Sequence, residues 1–381
     1  MMREAALVGI GRTAFSKASG RTPLAMAAEA VRDALDDAGL EGRDVDGIVN
    51  FQMNDSPRGM HVGRAIGADV LSWSLDVAGG GNLACTVVAE AFGAVGRGAC
   101  DVAVVFRSLN GRSGERFGRG ERPPVPMAGE MQFAALHGYV VPPQWIGMWA
   151  QRHKHVYGTT EEDFGHIAIT ERAHAVRNAH AMQRTPLTMD DYLAGRWIYE
   201  PFRLYDCCLE TDGAVALVVT TLDRARDLRH PPVRLLAEAE AHTHGGSWNG
   251  YPDLTTMYST YAAEKLWSRA EVRAADVDVA CMYDCFTYTV LATFEDFGFC
   301  PKGEVGAFFA EGRATYGGDV VVNPHGGLLS EGYIHGVNHH YEAVLQLRGD
   351  AGDRQVPDAE VALVTAGAGP FGGAVVYGVD R

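Results

Sequence analysis

The amino-acid sequence predicts an α/β protein made of two similar halves, with an inserted loop domain that interrupts the first half. Short apolar segments with strand character alternate with helical patterns in both halves. Apolar runs such as VAVVF at 102–106 are typical of strands that are buried on both faces of a sheet. The segment ADVDVACMYDCF at 275–286 is similar to DVDGIVNF at 44–51, which indicates an internal duplication.

The elements of the first half follow one another in β-α-β order. Leu24, Ala28, Val31 and Leu35 have the spacing of one helix face, which predicts a helix over 24–39. The other elements predicted here are strands at 6–11, 44–51, 72–77 and 102–106, a glycine turn at 78–81 and a helix at 82–97.

The second half repeats this pattern after a long interruption. Its predicted elements are strands at 233–241, 361–367 and 374–379 and helices at 257–269 and 336–347. The interruption contains Pro-rich loops, and its helices do not fit the repeat, so we expect a loop domain inserted over the active site. The predicted domains are 1–106 with 205–232, the inserted domain 107–204, and 233–381.

Composition and charge argue against several classes of function. A formal net charge of −15 opposes a general nucleic-acid or anionic-membrane surface. No apolar run approaches the roughly 20 residues that span a bilayer, and the N-terminus has strand character, so we expect a cytoplasmic protein without a membrane span or signal peptide. Seven cysteines without a CxxC pair predict neither a disulfide framework nor a metal site.

Five arginines lie within sixteen residues, in and beside a glycine-rich loop. They are Arg107, Arg112, Arg116, Arg119 and Arg122. Such a patch predicts a phosphate-binding site, and a solvated loop is the alternative. The glycine turn at 78–81 lacks the GxGxxG spacing of a dinucleotide site, so we expect no nicotinamide or nucleoside triphosphate cofactor.

Four ordered segments resemble the thiolase superfamily, in its sterol-carrier-protein type and its lipid-transfer-protein-like relatives, which include the steroid side-chain retro-aldolase subunits of actinobacteria. The resemblance extends over essentially the whole chain. It implies a thiolase fold in a layered α-β-α-β-α arrangement. The segments are HIAITERAHAVRNAHA at 166–181 with LYDCCLETDGAVALVV at 204–219, YDCFTYTVLATFEDFGFCPKGE at 283–304, NPHGGLLSEGYIHG at 323–336 and TAGAGPFGGAVV at 365–376.

The chain departs from the thiolase pattern at the nucleophile. Alignment with DVAGGGNLACTVVAEA places Ala78 where the family has its reactive cysteine, and Cys85 follows two helical turns later. The second cysteine of the degradative thiolases corresponds approximately to Gly367. Covalent acyl transfer is therefore not expected, unless Cys85 or Cys285 acts as an unusual nucleophile. Cys85 is interpreted as a buried packing residue.

Two tyrosines replace the family's active-site histidines. Tyr283 stands at the histidine of the His-Asp-Cys-Phe segment, and Tyr333 stands at the histidine of the Gly-His-Pro segment. The two hydroxyls are candidates for general acid and base. A phenolate base at neutral pH would need about three pKa units of depression, on the order of 4 kcal/mol.

The alternative is a phenol that relays its proton to a histidine. His325 and His335 are the first candidates for this role, followed by His339 and His340, and Asp284 is expected to orient either Tyr283 or a histidine.

Glycines beside these segments are candidates for backbone oxyanion donors. They are Gly79, Gly80, Gly81, Gly326, Gly327 and, in the closing loop, Gly367. Ordinary turn geometry explains them equally well. The adjacent Cys207 and Cys208, which the family also has, are interpreted as packing residues because neighbours in a strand project to opposite faces.

The resemblance implies a retro-aldolase that cleaves a β-hydroxyacyl-CoA without an acyl-enzyme. The implied substrate is a 17-hydroxysteroid-carboxyl-CoA, giving a 17-ketosteroid and propionyl-CoA, with no cofactor other than the substrate's own coenzyme A. Arg107, Arg112 and Arg116 are the candidates for binding CoA. The alternatives are an acyl-CoA or lipid carrier, or a scaffold, and a thiolase that uses an unusual cysteine.

The resemblance also implies partners. These are a second copy of the chain in a homodimer and a small OB-fold protein, often with a zinc ribbon, in a heterotetramer. Large apolar residues of the insertion, Phe133, Trp145, Met148 and Trp149, are expected to form a sterol-facing wall, a partner surface or simply core.

Overall fold

Ten strands form one continuous mixed sheet in the computed structural model, which describes residues 2–114, 116, 129–248 and 250–379. Two short strands pair separately as a hairpin. The strands are β1 Ala5–Arg12, β2 Gly47–Gln52, β3 Trp73–Ala78, β4 Val102–Asn110, β5 Trp197–Tyr199, β6 Phe202–Arg203, β7 Asp212–Thr221, β8 Val233–His242, β9 Val279–Cys281, β10 Val321–Val322, β11 Val361–Ala368 and β12 Phe371–Val379.

The first helix begins and ends at ordinary capping signals. Thr22 caps it by accepting a hydrogen bond from the Ala25 amide, Pro23 occupies its first position, and Gly39 ends it at a φ of 75°. The helices are α1 Pro23–Ala38, α2 Gly59–Ile66, α3 Ala84–Gly96, α4 Met131–Leu136, α5 Pro142–Tyr157, α6 Glu161–Val176, α7 Met189–Ala194, α8 Leu222–Ala225, α9 Tyr258–Arg269, α10 Thr287–Asp296, α11 Val305–Ala310, α12 Gly327–Ser330 and α13 Val337–Arg348.

The strand order confirms the predicted duplication. The sheet runs β3-β2-β4-β7-β1 and continues β8-β12-β11-β9-β10, so each half has the same five-strand arrangement. In each half three strands run parallel, and the remaining neighbours pair antiparallel. The two halves join where β1 pairs with β8, through Ala6 opposite Arg234 and Leu7 opposite Val233.

The helices pack on the apolar faces of the strands, and this packing produces the layers of the fold. Helix α1 covers one face of the first half, where Val8, Val104 and Val218 form a core of their own. Helices α3 and α13 occupy the space between the halves and pack against strands of both, while α9 packs against β8 and β12. The α-β-α-β-α arrangement is therefore confirmed, with α3 and α13 in its central layer.

The strand predicted at 102–106 is longer in the structure. Strand β4 continues to Asn110, because its pairing with β7 is unbroken from Val102 opposite Thr220 to Asn110 opposite Asp212. Arg107 is therefore a strand residue, not the first residue of a loop. The described part of the insertion, 129–204, is mainly helical and holds α4 to α7 with the β5–β6 hairpin.

No helix in the described ranges combines the length and the apolar character that a membrane crossing requires.

The contact between α1 and β1 generates a test of the fold. A Cβ atom on Gly9 would overlap the Ala34 carbonyl oxygen of α1. We expect Gly9→Ala to destabilise the protein by about 1–3 kcal/mol, because helix and strand cannot separate without opening the core. Urea denaturation would measure this as a lower midpoint. Gly93→Ala in α3, where the new methyl meets only the end of the Arg97 side chain, is the matched control and should not lower the midpoint.

Candidate active site

The hydroxyls of Tyr283 and Tyr333 are 2.8 Å apart, and either can donate to the other. Tyr283 lies two residues after the end of β9, and its amide donates to the Thr365 hydroxyl of β11 at 3.0 Å. Tyr333 lies between α12 and α13, where its amide donates to the Thr211 hydroxyl at 3.0 Å. Hydrogen bonds to Thr365 in β11 and to Thr211, which precedes β7, thus hold both backbones, and the structure brings together the two tyrosines that the sequence singled out.

Glycines of both halves make room for Tyr283. A Cβ atom on Gly81, in the turn before α3, would overlap the Tyr283 hydroxyl. A Cβ atom on Gly336 would lie 3.0 Å from the Tyr283 ring. The site therefore lies between the two halves, with the phenol of the second half against the glycine turn of the first. Ala78, the predicted former nucleophile position, is exposed at the end of β3.

Burial keeps the tyrosine pair protonated. It raises the pKa of Tyr283 well above its ordinary value, and the neighbouring Tyr333 adds to the rise. Burial likewise raises the pKa of Tyr333, while the positive charge of Arg107 acts in the opposite direction. At neutral pH the resting pair is therefore two hydrogen-bonded phenols, and forming a phenolate requires help from the surrounding charges.

Arg107 points into the site and is fully buried. Its guanidinium donates to Asp55 Oδ2 at 2.6 Å and to His335 Nδ1 at 3.0 and 3.2 Å, and lies 5.2 Å from the centre of the Phe51 ring. The His335 ring in turn lies 4.8 Å from the Tyr333 ring. Arg107, which was predicted to bind CoA, thus lies in β4 with its guanidinium buried, and its role in CoA binding stays a prediction.

The other loop arginines lie nearer the surface. Arg116 pairs with Glu210, a residue that forms an isolated β-bridge with Tyr333. The Arg112 amide donates to Asp212 at 2.9 Å. Arg119 and Arg122 lie outside the described residues. Of the predicted basic patch, Arg116 thus lies beside a residue that neighbours Tyr333, and the CoA-binding roles of Arg112 and Arg116 stay predictions.

His335 accepts a hydrogen bond at Nδ1. A guanidinium has only donors, so the contact with Arg107 requires an unprotonated Nδ1. The neutral ring then carries its proton on Nε2. Nδ1 is thus directed at Arg107, and the role of His335 as the acceptor of a tyrosine proton stays a prediction.

A cluster of buried acids and histidines lies behind Tyr283. Asp284 Oδ1 is 3.1 Å from His339 Nε2, and Asp284 Oδ2 accepts from the Leu329 amide at 2.9 Å. Although burial opposes ionisation, these contacts hold the pKa of Asp284 below its ordinary value. Asp284 therefore faces a histidine, one of its two predicted partners, and that histidine is His339. The Tyr283 and His339 ring centres are 6.4 Å apart.

Glu171 completes this cluster, and the sequence analysis missed it. Burial and the charge of Asp284 raise the pKa of Glu171 well above its ordinary value, so its carboxyl is protonated where Asp284 is ionised. The Asn323 amide donates to Glu171 at 2.8 Å. The available signal was a carboxyl at helical spacing from the buried Phe164, Ile167 and Ala168 of α6. Asp55 had no comparable signal.

The remaining predicted histidines, His325 and His340, lie farther from the tyrosine pair than His339 does. His325 Nε2 is 3.0 Å from His339 Nδ1, and burial lowers the pKa of His325 well below its ordinary value. His340 contacts the Tyr377 hydroxyl at 2.7 Å, and burial lowers its pKa to about 3. Both are neutral rings at neutral pH, and His325 reaches the tyrosine pair only through His339.

The predicted oxyanion glycines divide into different roles. The Gly79 amide donates to the Gln52 carbonyl at 3.1 Å, so it is already engaged, and the predicted donor role does not fit it. Gly327, at a φ of 63°, lets the carboxyls of Asp284 and Glu171 approach the backbone. Gly367 pairs with Gly372 in the β11–β12 hairpin. The oxyanion-donor roles of Gly80, Gly327 and Gly367 stay predictions.

The cysteines have the environment of packing residues. All seven are free thiols. Cys85 is 2% exposed inside α3, its thiol is 3.6 Å from the Val364 carbonyl, and burial raises its pKa. Burial also raises the pKa of Cys285 to about 12, and those of Cys207 and Cys208 well above the ordinary value. A thiolate nucleophile is not favoured at any of these four positions.

The protonated state of Glu171 can be tested through stability. A carboxyl whose pKa is raised in the folded state stabilises it fully below the ordinary value of 4.5, and this contribution is lost as pH rises towards the folded pKa. Glu171→Gln should therefore gain in melting temperature relative to the wild type between about pH 5 and about pH 8, by at least about 2 °C. Glu264→Gln on the exposed face of α9 is the control, and an equal pH trend in both variants would contradict the assignment.

Comparison with protein families and curated proteins identifies relatives along the chain. Residues 239–377 match the family model described as "Thiolase C-terminal domain-like". A protein of Mycobacterium tuberculosis, "17-hydroxy-3-oxo-4-pregnene-20-carboxyl-CoA lyase", is 43% identical over 383 residues, covering 96% of this chain and 97% of the relative. The "Steroid side-chain-cleaving aldolase" of Thermomonospora curvata is 41% identical over 394 residues, covering 99% of this chain and 98% of the relative.

A solved structure shares the whole fold. The structure described as "Ltp2-ChsH2(DUF35) aldolase" superimposes with a TM-score of 0.92 at 39% sequence identity, covering 100% of this chain and 99% of that chain. The similarity thus extends over both halves and the insertion.

Proposed function

The chain belongs to the thiolase superfamily, in the branch of the steroid side-chain-cleaving aldolases, and from this premise we propose that it cleaves a β-hydroxyacyl-CoA by a retro-aldol reaction. The proposed substrate is a 17-hydroxysteroid-carboxyl-CoA, which gives a 17-ketosteroid and propionyl-CoA. The single observation that supports this best is the hydrogen-bonded pair of Tyr283 and Tyr333 between the two halves. The relatives named as a lyase and an aldolase support the same class of reaction.

Two phenols at this distance suit the two proton transfers of the cleavage. One tyrosine, as phenolate, removes the proton of the substrate's β-hydroxyl, and the Cα–Cβ bond breaks to leave a ketone and a thioester enolate. The other tyrosine donates its proton to the enolate carbon, which gives the shorter acyl-CoA. Transfer of a proton across the 2.8 Å contact between the hydroxyls then restores the form with one phenolate and one phenol from which the cleavage began.

The reaction needs neither a covalent acyl-enzyme nor a redox partner. Burial raises the pKa values of the thiols at Cys85 and Cys285, which opposes the alternative of a thiolase with an unusual nucleophile. Because the cleavage transfers only a proton and involves no net oxidation, we propose that it uses no cofactor beyond the CoA of the substrate. Arg112 and Arg116 are the proposed contacts for CoA phosphates.

We further propose an assembly with a second copy and a small OB-fold partner. Strand β3 is an edge of the sheet whose residues alternate between half-buried and exposed, which suits pairing with a second copy. Phe133 and Leu136 of the insertion are 72% and 82% exposed, which supports a partner surface there, whereas Trp149 is buried core. The two-part name of the similar solved structure agrees with a partner protein. Seven free thiols suit the reducing cytoplasm, where we place the protein.

The central test is cleavage by the protein co-expressed with its OB-fold partner. Incubation with a 17-hydroxysteroid-carboxyl-CoA should release the ketone and propionyl-CoA, measured by mass spectrometry. Tyr283→Phe and Tyr333→Phe should each lower kcat about 100-fold or more, because each removes one proton-transfer group.

A buried tyrosine away from the pair provides the control. Tyr288 lies in α10 and its hydroxyl makes only a 3.4 Å contact with the Leu254 carbonyl, so Tyr288→Phe should keep its activity. Unchanged substrate with tight acyl-CoA binding by the wild type would favour the carrier instead.

A further inference from the structure

We propose that Arg107 and Asp55 form a positioning charge pair that decides which group of the site acts as base. Arg107 favours ionisation of the tyrosine pair and holds His335 in a form that does not compete for the proton, while Asp55 limits this effect. This inference rests on the proposed aldolase reaction for its role in catalysis, but its electrostatic part concerns the free protein.

Arg107 makes more hydrogen bonds than an ordinary ion pair requires. A single bond at 2.6 Å to Asp55 would satisfy its charge. The same side chain, fully buried in β4, also donates to His335 Nδ1 at 3.0 and 3.2 Å. Burying a guanidinium costs free energy. The additional contact with the His335 ring, which lies beside Tyr333, therefore indicates that Arg107 has a function in the site.

The contact with His335 fixes the form of that ring. Protonation of Nδ1 would set two donors against each other beside a buried cation, so the ring stays neutral with its proton on Nε2. The His335 ring lies 4.8 Å from the Tyr333 ring and 6.2 Å from the Phe51 ring, which limits its rotation. The acid-base work is thereby left to the two phenols.

Several other groups face the tyrosine pair from the elements packed around it. Among the described residues, those with a charge or a titratable proton are Cys208, Glu210, Asp284, Cys285, His335 and His339, with Glu171 behind Asp284. Asp284 faces His339, Glu210 faces Arg116, and burial raises the pKa of the Cys285 thiol to about 12. Arg107 is the cation of this set that is buried completely beside the pair.

Arg107 and Asp55 carry opposite charges, so replacing each of them should shift the pH at which the phenolate forms in opposite directions. A phenolate accepts the substrate's hydroxyl proton, and the positive charge of Arg107 stabilises that phenolate. Arg107→Gln should raise the pH at which the phenolate forms by about one to two pH units. Asp55→Asn removes the opposing negative charge and should lower this pH by about one unit. The double variant should lie between them.

Two measurements test this on the complex with its partner. The first is the pH profile of kcat/KM for the steroid acyl-CoA, where the rising limb reports the base. The second needs no substrate: the ultraviolet absorption of tyrosinate is titrated in the wild type and each variant, with Tyr283→Phe and Tyr333→Phe to assign the signal of the pair. Arg203→Gln, which removes a partly buried ion pair with Glu161, is the matched control and should move neither curve.

Opposite shifts of both curves for Arg107→Gln and Asp55→Asn would support the proposal. Shifts in the same direction, or curves that match Arg203→Gln, would overturn it. If Arg107→Gln does not fold, the separate variants Asp55→Asn and Arg107→Lys test the proposal instead. Asp55→Asn should still shift both curves to lower pH, and Arg107→Lys should give curves close to those of the wild type. If the wild type cleaves no substrate, the proposed function is wrong, and the tyrosinate titration alone decides the role of Arg107.

Discussion

The junction between the two halves determines where every reactive group of this protein lies. The halves are joined in one sheet by the short pairing of β1 with β8, and α3 fills the space between them. Tyr283 comes from the second half, whereas the Gly81 turn and Arg107 come from the first. A shift of one residue in the β1–β8 register would turn the strand faces over and separate these groups. Leu7 and Val233, which face each other across this junction, are both buried.

Most of the fold was predictable because it depends on local pattern. Fully apolar strands, the helical spacing around Val31 and the similarity of the two halves are all visible over short stretches of sequence. The insertion was harder to predict, since Pro-rich segments suggested loops. Pro142 in fact opens α5 at its first turn, where a missing amide proton costs nothing.

The candidate site was predictable only where a residue type itself is unusual. Tyrosines at two histidine positions of a known pattern pointed to Tyr283 and Tyr333. The partners of Arg107 could not be predicted, because Asp55 and His335 are 52 and 228 residues away from it. Whether a carboxyl such as that of Glu171 is protonated depends on burial and on a neighbouring charge. Neither can be recognised from a single sequence without its tertiary contacts.

The contact between Gly81 and Tyr283 has a consequence for how such a site can change over evolutionary time. The volume above Gly81 holds a phenol from the opposite half, so any side chain at 81 would collide with it. A reactive side chain introduced at this position of the first-half turn would require Tyr283 to become smaller in the same step. Substitutions at the two positions are thus epistatic, and single-step paths between the two kinds of active site pass through a poorly packed intermediate.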